Sequence, residues 1–104
     1  MSDFIVPPNH FKFKAKKLFG EVEGRVLDSS VAHIESDGGG PKPSHTHSHD
    51  HFFIVVEGSA SIEIEGEKIR VGSDESILVP GQKLHSVWNE ANQLLKMIGM
   101  TIES

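Results

Sequence analysis

The chain has 104 residues, no cysteine and a formal charge of −5 with histidine counted as neutral. That length suits one domain around one core, the lack of cysteine excludes disulfides and thiolate metal ligands, and an acidic balance disfavours a phosphate-backbone partner. The start Met1-Ser2-Asp3-Phe4 carries no basic leader region, and no apolar run approaches the roughly 20 residues needed to span a bilayer, so the expectation is a cytoplasmic protein with no membrane or nucleic-acid partner.

The first patterned segment sets Lys12, Lys14, Lys16 and Lys17 among Phe11, Phe13 and Ala15. Such alternation is that of a half-exposed strand, and this basic stretch reads as its solvated face. Turn signals then recur at Gly20, Gly24, Gly38-Gly39-Gly40-Pro41, Gly58, Gly66, Gly72 and Pro80-Gly81, after an earlier one at Pro7-Pro8-Asn9. Short period-two segments between such turns predict an all-β sandwich or barrel. Gly38 to Pro43 reads as a connector, flexible and then stiff, that delivers the chain to a histidine-rich run.

Past that run, Phe52 to Val56 is apolar at every position, as expected of a strand covered on both faces. In Ser59 to Glu65, Ala60, Ile62 and Ile64 share one face, and Glu65-Gly66 signals a tight hairpin into Glu67 to Val71. Glu90 to Gln93 reads as a loop, and Leu94 to Ile102 as a closing strand. No segment makes a convincing amphipathic helix.

The histidines carry the chemistry. His45, His47, His49 and His51 occupy alternate positions, and in an extended strand alternate residues point to one side. His85 follows the Pro80-Gly81 turn on a segment that a neighbouring strand could bring opposite them. Neutral imidazole is the commonest protein ligand for first-row transition metals, so His45, His47, His51 and His85 are the candidate ligands. A His-rich loop can bind metal without a fold, but this run leads directly into an apolar strand, which favours an ordered site. His49 shares the parity, and ligation by His49 in place of His51 is the alternative. His33 reads as a surface or hydrogen-bonded side chain, and His10 has no partner pattern.

Two motifs take the reading further. One is His45-Thr46-His47, three residues, His51, six residues and Gly58; the other is Pro80-Gly81-Gln82-Lys83-Leu84-His85-Ser86-Val87-Trp88-Asn89. In order and separation they resemble the two motifs of small single-domain cupins, with His51 standing where a glutamate is usual and the glycine of the second motif moved one place toward the proline. The likeness covers about the last seventy residues well and the first thirty only by β character. It implies a double-stranded β-helix, or jelly-roll barrel, with one domain over 1–104: N-terminal strands in 1–30, with a part in dimerisation, and the conserved barrel in 31–104. It further implies a four-histidine site for manganese, iron, nickel, copper or zinc, with His49 turned away at a bend or supporting a ligand from behind, and a homodimer.

With His51 facing inward, Phe53 and Val55 do so too, while Phe52, Ile54 and Val56 face out. Val87 joins His85 inside, Trp88 faces out as a candidate interface anchor, and Asn89 serves a turn. The function expected is metal-dependent catalysis on a small organic substrate, dioxygenase-like first and isomerase- or lyase-like second. The alternative is a non-enzymatic module that binds or senses a small molecule or sugar. No carboxylate belongs to the first motif, and Glu21, Glu23 and Glu35 have no assigned facing, so acid–base mechanisms are the weaker expectation.

Overall fold

The computed structural model describes residues 4–19, 25–46 and 48–103. Eight strands follow one another: β1 (Phe11–Phe19), β2 (Val26–His45), β3 (Asp50–Glu57), β4 (Ser59–Ile64), β5 (Glu67–Gly72), β6 (Ser76–Val79), β7 (His85–Trp88) and β8 (Leu95–Ile102). Every described pairing between them is antiparallel. The chain is thus an all-β, nearly closed barrel, as the turn spacing predicts, and no helix among the described residues is long and apolar enough to cross a membrane.

The long β2 organises the barrel because it changes partners along its length. Its first half lies between β1 and β8, with Ala32 opposite both Ala15 and Met97. Its second half pairs with β7, with Gly40 opposite Val87 and His45 opposite His85. One ladder therefore runs β1-β2-β8-β3-β6 and a second runs β5-β4-β7-β2, joined through the same strand. Their inner faces meet in one core, in which Ile34, Val55 and Leu95 of the first ladder lie against Ala60, Ile62 and Val87 of the second.

The change of partner occurs at Gly38-Gly39-Gly40, where a connector is expected from sequence and the structure instead continues the strand. Glycine there reflects close approach rather than flexibility. A Cβ on Gly39 would lie 2.3 Å from the Val87 carbonyl oxygen and 2.5 Å from Cε3 of Trp88. The indole packs flat where the missing side chain would be, so two ladders can meet on one backbone.

Two further turns follow the sequence reading. Glu65 and Gly66 both adopt positive φ, 52° and 81°, and close the β4–β5 hairpin with Ile64 opposite Glu67, as a two-residue type I′ loop requires. Asn89 is fully buried, and its amide donates to the carbonyls of Ile34 and Gln93, each at 2.8 Å, while its own oxygen accepts from Ala91 N–H at 3.1 Å. Those bonds satisfy the backbone of the 90–94 loop as it bridges from β7 to β8.

Candidate metal centre

The histidine run is not one strand. β2 ends at His45, bends follow at Ser48 and His49, and β3 begins at Asp50. His45 and His51 therefore reach the site from different strands that do not pair with each other, and it is the turn between them, not strand parity alone, that brings them to one end of the barrel. β7 supplies His85 from directly opposite His45. The ring centroids of His45 and His85 are 4.8 Å apart, and those of His51 and His85 are 5.3 Å apart.

His85 is buried, and its Nδ1 lies 3.2 Å from the Lys83 carbonyl oxygen. A carbonyl only accepts, so Nδ1 is the donor in this contact, the usual supporting bond of a metal-binding imidazole. Nε2 of His51 is shielded from solvent, and the ring stacks on Phe53 with an interplanar angle of 6°. Imidazole nitrogen is a donor type that suits a divalent transition ion. Among the described residues, however, no group of three or more His, Asp or Glu side chains stands in metal-holding geometry, and the expected ligand His47 lies outside the described residues.

The two motifs are tied together by a contact that the spacing does not reveal. The Asp50 carboxylate accepts the Gly81 N–H at 2.7 Å, and a Cβ on Gly81 would lie 2.6 Å from the Ser48 carbonyl oxygen. The Pro80-Gly81 turn thus rests backbone to backbone on the His49 bend, which explains why this turn carries glycine. His49 is half-buried at that bend.

Register also places a carboxylate that sequence reading missed. Thr101 pairs with His51 on one side and with Asp28 on the other, so Asp28 stands at the level of His51, two strands and about 10 Å away. It has the parity of Ser30, which lines the interior. Its signal lay in strand pairing, which no local pattern encodes. Glu35 is exposed, and Glu21 and Glu23 lie outside the described residues. His33 sits on the outer face of β2, its ring 4.8 Å from Phe4; partial burial and the nearby Lys14 and Lys96 hold its pKa below the ordinary value.

Beneath the histidines lies an apolar cavity of about 190 Å³. Phe53 and Val87 line it, each two residues beyond a histidine on the same strand, so these histidines and the cavity share one interior. A larger cleft of about 430 Å³, bounded by Lys68, Arg70 and Glu90, lies on the outside of β4 and β5, away from the histidines.

A family model for the cupin domain matches residues 32–101. No curated protein matches the sequence. Among solved structures, KdgF from Halomonas sp. is similar with a TM-score of 0.74 at 20% identity, covering 99% of this chain and 88% of that one. The cupin domain of an XRE-family transcriptional regulator from Enterobacter cloacae gives 0.79 at 17% identity, over 90% and 99% of the two chains. A predicted oxalate decarboxylase from Thermotoga maritima gives 0.79 at 12% identity, over 88% and 81%. At these identities the likeness is one of fold.

Proposed function

The chain belongs to the cupin family, and on that premise we propose that His45, His47, His51 and His85 hold one divalent transition-metal ion, at which a small organic substrate is transformed. The observation that carries this reading is the convergence of His45, His51 and His85, from three strands, above an apolar cavity. When bound, an ion held by four neutral ligands would keep its full charge, acting as a strong Lewis acid and favouring anionic exogenous ligands.

The protein's own part is positioning. The Lys83 carbonyl orients His85, Phe53 backs His51, and Asp50 fixes the second motif against the first. The cavity offers hydrocarbon walls that exclude water from the substrate's apolar portion. Oxygen-dependent chemistry is the preferred class, because it demands less of a protein base than isomerisation or elimination does. A binding or sensing role is the second reading, favoured by the small, almost wholly apolar cavity. The fold hosts both, as the similarity to a predicted oxalate decarboxylase and to a regulator's cupin domain illustrates.

Metal analysis of protein purified without an affinity tag is expected to give about one equivalent of manganese, iron, nickel, copper or zinc per chain. His51→Ala should lose that metal while keeping its far-ultraviolet circular dichroism; unchanged metal content would overturn the assignment of His51. Oxygen uptake with small phenolic or enolic compounds then separates catalysis from binding. We further propose a homodimer in which a second copy covers the apolar outer face of β3 and β8, where Phe52, Ile54, Ile98 and Met100 lie side by side.

A further inference from the structure

His10, which shows no partner pattern in the sequence, lines the cavity below the histidines. Among the described residues the cavity's other walls are hydrocarbon apart from Ser30 and the Met97 thioether, so His10 is the one titratable side chain of those that border it. It arrives on the Pro7-Pro8-Asn9 turn ahead of β1 and is held there from several directions. The Lys42 N–H donates to the Asn9 carbonyl at 3.2 Å, the His10 N–H donates to the Pro7 carbonyl at 3.3 Å, and the ring packs edge-on against Phe13 with centroids 4.4 Å apart.

One contact orients the ring. Nδ1 lies 2.7 Å from the Pro8 carbonyl oxygen, and since a carbonyl only accepts, the hydrogen sits on Nδ1. A neutral imidazole with that hydrogen in place presents Nε2 as an acceptor. An apolar compartment bordered by one imidazole, with the Ser30 hydroxyl as its other polar side chain, discriminates by chemistry: a ligand with a hydroxyl is favoured over its hydrocarbon counterpart, because only the former pairs with such a group as water is displaced.

We infer that His10 is a specificity-determining residue that accepts a hydrogen bond from the hydroxyl of a small ring compound seated in the cavity. The size fits, since a cavity of about 150 Å³ is enough for benzene and this one is about 190 Å³. The inference deepens the function proposed above by naming the substrate class, and it rests on that reading for the ligand's fate alone; the cavity and the His10 ring that lines it exist without any metal.

The test uses metal-free full-length protein and two probes, phenol and benzene, followed by NMR of the Val87 and Met97 methyl groups and the His10 Cε1–H. Phenol is expected to shift all three, and the ratio of phenol to benzene affinity should fall about fivefold in His10→Ala, the worth of one neutral hydrogen bond. His10→Gln, which retains an acceptor, should recover part of the ratio. His10→Phe, which keeps a ring against Phe13 but has no acceptor, should show the same fall and replaces His10→Ala if that variant unfolds. Phenol that leaves these cavity groups unshifted, or a ratio unchanged in the variant without an acceptor, overturns the inference. Because no metal is present, failure of the proposed metal centre would leave this result untouched, and failure here would leave the metal content untouched.

Discussion

The two ladders are alike inside and opposite outside. Outside β6, β3 and β8, register aligns Leu78 with Phe52, Phe52 with Met100, and Ile54 with Ile98, an apolar surface edged by Lys96 opposite His33. Outside β5, β4 and β7, Arg70 faces Ser61, Lys68 faces Glu63, and Ser86 follows Glu63 across the next pair, with Lys68 also bridged to Glu90 at 3.0 Å. Opposite charges directly across strands suit a face that stays in water, whereas an apolar sheet face asks for a cover. Position in the barrel, more than strand propensity, therefore separates an apolar outer surface from a charged one.

The equality of the inner faces is the first point to attack. Leu95→Ala from one ladder and Ile62→Ala from the other are each expected to cost about 2–5 kcal/mol in chemical denaturation, since both side chains are fully buried in the shared core. A cost near zero for either would show that its ladder contributes no core.

The outer faces should part company under a charge. Ile98→Glu, in the middle of the apolar face, is expected to convert a dimer to monomer in sedimentation velocity, because an unpaired buried carboxylate opposes association. Arg70→Glu on the polar face should leave the sedimentation coefficient unchanged. If both variants remain as the parent, the apolar face is not the interface.

The smallest effect concerns His33 at the margin of the apolar face. Desolvation first, then Lys14 and Lys96, lower its pKa from 6.5, so the unfolded chain binds its proton more readily than the folded one. Its contribution to stability is fully present above pH 6.5 and declines as pH falls through that value toward the lowered pKa. His33→Gln should flatten that part of the stability profile slightly, the group being mostly solvated; a steeper profile would reverse the sign assigned here.

Local chemistry made much of this readable in advance. The Glu65-Gly66 hairpin, the Ala60-Ile62-Ile64 face, the inward set of His51, Phe53 and Val55, and the role of Asn89 all depend on residues within a few positions of one another. The Gly38–Gly40 stretch misled because glycine signals both flexibility and close approach, and only the presence of Trp88 and Val87 across the ladder distinguishes the two. The same limit hid Asp50, whose partner Gly81 is distant in sequence, and His10, whose cavity is assembled from β1, β2, β3, β7 and β8.

By itself, then, the sequence determined the all-β class, the family and the candidate ligand types, since period-two patterning, turn residues and motif spacing are properties of short segments. Only the tertiary structure decided that β2 serves two ladders, that Asp28 stands level with His51, and that His10 borders the cavity. Those relations join residues far apart along the chain, and they come into being only when strand pairing and core packing bring the segments together.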